Sequence, residues 1–372
     1  MMSVSDTGAN QLRIDYAAES REGLPSTYRS HRTRVSPPKP KTAGAPKVQW
    51  GPEPFGSGDE PPTATEDPEL WAVRDQLFAM DPTGVRTAYA LREAFDQIYD
   101  GQRTGRWEYT QLMKTEKTHL GTLVEIWLQR EFEFADGDEL DYSIAGVDVD
   151  AKWSRNLYEW EFPPEMYVRG PRLAIVLWAN ESTSCWAVGL VRVRADALLP
   201  LGRQRDQKRR LNVFGKDRIL WVHHDMQMIE NTLLHLRSDS VERIFAMRSG
   251  QSAVEQLFRE APRRLVNRST VVTVAQQVDA GKRVRDARLK LAKEGIVVFG
   301  HYEPHPSMAS MLGLPVPRLG SFVSARLAPW TEVDEAEHIE IQGSSWRLAT
   351  MDDPVIGAPE LPKQGRSDGR PS

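Results

Sequence analysis

The chain has 372 residues, 40% hydrophobic and 27% charged, with a formal net charge of −4 and one cysteine. These values suit a globular protein of two ordinary domains plus a tail. They exclude a membrane helix, since no apolar run reaches about 18 residues, and an internal disulfide, since Cys185 has no partner. The N-terminus lacks a basic start followed by an apolar stretch, no Cys/His cluster has zinc-ligand spacing, and a cytoplasmic setting is expected.

Residues 1–64 are rich in Pro, Gly, Ser and charge (SPPKPKTAGAPK, GPEPFGSGDEPP) and read as a disordered extension. Order is expected to begin at Asp67-Pro68, a helix cap followed by proline at the first helical position. Leu70, Trp71, Val73, Leu77 and Phe78 then form one apolar face. After Asp81-Pro82 a second helix carries Val85, Tyr89, Leu91, Phe95 and Ile98 toward Gly101, taken as its C-terminal glycine. A third helix is expected from about Thr110 to Glu131. Strand-like stretches follow: LDYSIAG, VDVDAKW, RLAIVLWA and CWAVGLVRV, with Cys185 read as a core thiol. Helices, a mixed sheet and a basic run (Arg203, Arg205, Lys208, Arg209, Arg210, Lys216, Arg218) make a first domain of 65–220. Such a run fits a phosphate backbone or a merely solvated face.

The second domain, 225–372, resumes with helical patterns, MIENTLLHL and SAVEQLFREA. Within RSTVVTVAQQVDAGKRVRDARLKLAKEGIVVFGH a short helix, a glycine-containing turn, a very basic helix and an apolar strand follow in succession. That order fits a winged helix-turn-helix, and equally an ordinary helical hairpin beside a strand. Lys282, Arg283, Arg285 and Arg288 are the candidates there for DNA contact.

The stretch DGDELDYSIAGVDVDAKWS carries the chemistry. With Ala145-Gly146 as a two-residue turn, Ile144 faces Val147, Ser143 faces Asp148, Tyr142 faces Val149, and Asp141 faces Asp150. Alternation puts Asp148, Asp150 and Lys152 on one face. Opposed carboxylates at a Cβ spacing of roughly 5 Å are destabilising unless something offsets them. Mg²⁺ offers that offset, because it takes one or two carboxylates plus water and phosphate oxygens. Lys152 points the same way and is suited to steady charge on a phosphate or to assist an attacking water. Glu125, on the small polar face of the third helix with Thr118, Gly121 and Thr122, can lean toward the hairpin. Acid on a helix, Asp at a strand and D-x-K on the next strand is the PD-(D/E)xK nuclease plan, with Leu140 in place of the proline. A solvated hairpin is the plainer alternative. His119, His223 and His224 are disfavoured as general bases.

The segment IYDGQR is close to the K-Y-D-G-x-R of DNA ligases, but Ile98 stands at the lysine position and cannot attack a nucleotide phosphate. Taken together, FDQIYDGQRTGRW, KTEKTHLGTLVEI, DYSIAGVDVDAKWS, TVAQQ, KRVR and LGLPVPR resemble the NaeI-type (type IIE) restriction endonucleases, from about residue 68 to near the C-terminus. The resemblance implies an α/β fold with a PD-(D/E)xK core, its mixed sheet flanked by helices, plus a C-terminal winged domain like that of catabolite activator proteins. It implies Mg²⁺, a homodimer, and two copies of double-stranded DNA, one cut and one bound as effector. It further implies the target GCCGGC and a site at Glu125, Asp141, Asp150 and Lys152. Arg103 and Arg106 become candidate phosphate contacts. The rivals are a winged-helix regulator with an inert core and a repair or mobile-element nuclease.

Overall fold

The computed structural model describes residues 34–40, 59–202, 206–277 and 279–363. Ordered helix begins where its cap predicts: Asp67 Oδ1 accepts the Leu70 amide at 3.1 Å and Pro68 occupies the first turn of α1 (Pro68–Met80). Helix α2 (Val85–Tyr99) buries Leu91, Phe95 and Ile98. It stops one residue earlier than expected, because Asp100 rather than Gly101 takes the left-handed position, φ 45°. Gly101 instead opens a further turn, α3 (Gly101–Thr104). The third long helix is likewise shorter than its pattern: a 3-10 turn at Tyr109–Gln111 precedes α4 (Lys114–Phe132). Glu116 fixes that start by accepting the Met113 amide at 2.8 Å.

The strands β1 (Ala135–Asp136), β2 (Tyr142–Ile144), β3 (Val147–Ser154), β4 (Arg172–Asn180) and β5 (Cys185–Val193) pair in chain order. After the short helix α5 (Val213–Asp217), β6 (Leu220–Gln227) completes the six-stranded sheet on β5. The β3–β4 pairing is parallel and the others are antiparallel, so the sheet is mixed, as expected. Strand β6 carries this sheet beyond the boundary expected at 220. Val149, Ala151, Leu173, Ile175 and Leu177 face the helices, while Ala174, Val176 and Trp178 pack with Trp160, Phe162 and Met166 on the other side. Burial on both faces explains why β4 reads as a continuous apolar run. Cys185 is half-buried at a strand end, its thiol donating to the Thr183 carbonyl at 3.2 Å, and is not a core residue.

MIENTLLHL forms only a 3-10 turn, Thr232–His235. Beyond it come α6 (Ser238–Ala246), α7 (Gly250–Glu260), β7 (Leu265–Asn267), α8 (Arg268–Ala275), α9 (Ala280–Leu291), β8 (Ile296–Phe299), α10 (His305–Met311), β9 (Ser321–Pro329), β10 (His338–Ile341) and β11 (Ser344–Leu348). Helix, turn, basic helix and strand therefore occur in the predicted order, with β8 pairing antiparallel to β9. The glycine is not in the turn: Gln276 turns the chain at φ 52°, Asp279 caps α9, and Gly281 lies inside that helix. Strands β7, β8, β9, β10 and β11 form a second sheet, of which only β8 carried a sequence expectation.

Of the expected extension, residues 1–33 and 41–58 lie outside the described residues. Residues 34–38 are held in place. Arg34 Nε donates to the Val274 carbonyl at 3.1 Å, Gln276 Nε2 to the Val35 carbonyl at 2.6 Å, and Gln111 Nε2 to the Pro38 carbonyl at 2.7 Å. This strap ties the turn after α8 to the 3-10 turn before α4.

Candidate active site

The predicted hairpin register is the observed one: Tyr142 opposite Val149, Ser143 opposite Asp148, Ile144 opposite Val147. Ala145 and Gly146, at φ 53° and 76°, supply the two left-handed residues that a tight hairpin turn requires. Strand β2 ends at Tyr142 while β3 continues to Ser154, so beyond Val149 the β2-side edge of β3 is open. Asp141 sits at the fork, its Oδ2 accepting the Ala151 amide at 2.7 Å. The edge amide is satisfied by a carboxylate instead of a strand.

Asp150 is 8% exposed. The Lys152 ammonium approaches its Oδ2 to 2.5 Å, while that oxygen, itself fully buried, lacks an aligned hydrogen bond. Burial raises the Asp150 carboxyl to about 6 against the pull of Lys152, with Asp141 adding to the rise. Glu125 reaches the same place from α4. Its carboxyl is raised to about 7, first by burial, then by Asp141, with Lys152 opposing and Asp150 adding. The Tyr142 hydroxyl donates to the Glu125 backbone carbonyl at 2.7 Å and pins this turn of α4 to the hairpin. Sequence reasoning missed this tie, although Tyr142 stands inside the motif. Asp148, expected on the same polar face, is employed elsewhere: it accepts the amides of Asp138 and Glu139.

Carboxylates that resist ionisation alone are suited to a cation. The donor set is all oxygen, as a hard cation prefers. Among the described residues no three His, Cys, Asp or Glu side chains form a ready-made metal cage. Mg²⁺ needs only one or two carboxylates and keeps water or phosphate oxygens for the rest, so the buried Asp150 oxygen, which has only the Lys152 ion pair, and its neighbours fit it.

Other candidates are distributed differently. Arg103 is 79% exposed at its side chain and 3.3 Å from Asp100, on the wall of a polar cleft of about 540 Å³ between α2–α3 and α8. Arg106 points inward: it is 8% exposed, donates to the carbonyls of Tyr99 and Ile98, and pairs with Glu116 at 2.7 Å. Its donors are spent on the end of α2 and the start of α4, which leaves it a structural tie in place of the expected phosphate contact. Lys282 and Arg285 are exposed on α9. Arg283 is half-buried against Gln251, and Arg288 donates to the Val298 carbonyl at 2.8 Å, burial lowering its guanidinium to about 10. In the other basic run, Arg203 and Arg205 lie outside the described residues. Arg209 bonds the carbonyls of Leu199, Ala195 and Leu198, and Arg210 pairs with Glu161. His223 is buried against the Asp81 carbonyl and His224 packs on Trp221, 4.6 Å between ring centroids.

The family model for restriction endonuclease NaeI matches residues 72–357. The chain is also 46% identical, over 312 residues, to the type II restriction enzyme NaeI of Lentzea aerocolonigenes, an overlap covering 81% of this chain and 96% of the relative. The protein is thus a restriction endonuclease, a site-specific DNA hydrolase in kind. Within that class it belongs to the NaeI family.

Proposed function

We propose that this chain hydrolyses both strands of duplex DNA with Mg²⁺, at a core of the PD-(D/E)xK type. The observation that carries this reading is the meeting of Glu125, Asp141, Asp150 and Lys152 at the open edge of β3. Asp141 and Asp150 are the residues to hold the ion, with Glu125 joining directly or through water. When bound, Mg²⁺ would polarise a phosphate oxygen and acidify a water molecule. Lys152 Nζ, already within 2.5 Å of Asp150, is placed to donate to the attacked phosphate or the incoming water and to stabilise charge as it builds. Tyr142 keeps Glu125 in register with the hairpin.

The helix pair α8–α9 with the β8–β9 strands supports reading the second half as a winged helix-turn-helix. Lys282 and Arg285, exposed on α9, and Arg103, exposed beside Asp100 at the cleft, are cations offered to DNA. We further propose a homodimer that takes a second DNA copy as effector, with GCCGGC as the first target to test. The deciding experiment is digestion of unmethylated DNA of known sequence with Mg²⁺, followed by mapping of the ends. Discrete fragments cut at one palindrome are expected. Random nicking, or no metal-dependent cleavage at any salt concentration, would overturn the reading.

A further inference from the structure

Tyr109, in the 3-10 turn before α4, is flanked by two cations. The Lys117 ammonium lies 5.0 Å from its ring centroid and the Arg155 guanidinium 4.5 Å. All three side chains are half-buried. Among the described residues neither Lys117 nor Arg155 has a carboxylate partner, and the Tyr109 hydroxyl makes no hydrogen bond. Two like charges drawn to one ring without a counter-ion repel each other, and the ring's attraction, about 0.5–2 kcal/mol per cation, offsets this only in part. An anion is the missing member.

Position says which anion. Lys117 lies two turns before Glu125 on α4, roughly 12 Å along the axis. Arg155 follows the end of β3, three residues past Lys152 and roughly 10 Å along the strand. Both elements therefore run from the carboxylate cluster to the same tyrosine, and the open edge of β3 lies between. Midway on α4 stands Gly121, half-buried, with no atom within 4 Å of where a Cβ would be. A glycine inside a helix costs about 1 kcal/mol relative to alanine. Here it leaves the lane along the edge clear.

We propose that Lys117, Arg155 and Tyr109 anchor a backbone phosphate of the cut DNA strand, one or two nucleotides from the scissile bond, along a lane that Gly121 keeps open. The proposal rests on the nuclease reading above. These residues position the strand; they do not touch the reacting atoms.

The test uses the full-length protein and a short duplex centred on GCCGGC, without Mg²⁺, titrated at several salt concentrations. Lys117→Ala and Arg155→Ala should each weaken binding about tenfold and flatten the log–log salt dependence by about one counter-ion. Lys117→Arg should restore both. A neutral methylphosphonate, moved stepwise outward from the cut, should weaken wild-type binding at one flanking position and cost a variant carrying both Lys117→Ala and Arg155→Ala nothing there. Gly121→Gln separates anchoring from folding: it should unfold at or above the wild-type temperature yet bind DNA poorly. Unchanged salt slopes in both alanine variants, or full binding by Gly121→Gln, would overturn the anchor while leaving cleavage intact. If the wild type binds but never cuts, the nuclease reading fails and the slopes still decide the anchor. If it binds no duplex, both fall.

Discussion

Replacing Asp150 with asparagine should make the metal-free protein more stable and catalytically dead. Asp150 is 8% exposed and its carboxyl is raised from 3.8 to about 6. Its folded pKa lies above its unfolded one, so folding favours the neutral form. That contribution is fully present below pH 3.8 and is lost as the pH rises through about 6. At pH 8 the folded chain carries the whole penalty, about 3 kcal/mol at 1.36 kcal/mol per unit. Asparagine copies the shape of the neutral acid and escapes it. For roughly 300 ordered residues the gain is a melting temperature about 5 °C higher at pH 8, dwindling to nothing near pH 4. The assay is calorimetry of wild type and Asp150→Asn in chelator at several pH values, alongside plasmid cleavage in Mg²⁺. Added Mg²⁺ should narrow the gap at pH 8, because it binds the ionised native site of the wild type and stabilises it by mass action. A difference in melting temperature that ignores pH, or a wild type as stable as the variant at pH 8, would refute this account of the buried carboxylate.

Lys152→Ala should lower the cleavage rate by about 10²–10³, the usual effect of removing one donor aimed at developing charge. Binding to the same DNA, followed by fluorescence anisotropy, should change only a few-fold; equal loss of both would mean that Lys152 serves the fold. Gly101→Ala would bring a methyl group to 2.1 Å from Thr273 Oγ1 and 2.9 Å from the Arg106 carbonyl. Overpacking of that kind costs about 1–3 kcal/mol in denaturant titrations, and Thr273→Ala should recover part of it. Incubation with labelled ATP or NAD should leave the protein unlabelled, since buried Ile98 offers no nucleophile where a ligase has its lysine; a labelled band would contradict this.

The hairpin was legible because its information is local. Alternation, a turn needing two left-handed residues and direct cross-strand opposition all lie within Asp141–Lys152, and the register agrees residue for residue over the paired segment. Arg106 was not legible. Its acceptors are the Ile98 and Tyr99 carbonyls, in the last turn of α2, where the helix leaves its carbonyls without a partner, and the sequence does not say which side chain will fold back onto them. Nor was the buried network that Tyr99 enters. Glu181 accepts from Tyr99, from Arg92 at 2.7 Å and from Asn231 at 3.2 Å, groups up to 89 residues away in sequence. A buried carboxylate of this kind persists only with such partners, and here two come from α2 and the third, Asn231, from beyond β6.

These contacts give IYDGQR a physical reason to exist apart from any nucleotide chemistry. Ile98 fills the helical core, Tyr99 satisfies Glu181, and Gly101 admits Thr273 of α8 at a distance no side chain would allow. Arg106, just beyond, ties the same turn to Glu116 at the head of α4, the helix that carries Glu125. The turn therefore joins α8 to α4, the helix that carries Glu125, through two contacts. A shift of α8 on DNA would have to move Gly101 or break its contact with Thr273. If a second DNA copy does regulate cleavage, this short turn is the place where a single methyl group should weaken the coupling.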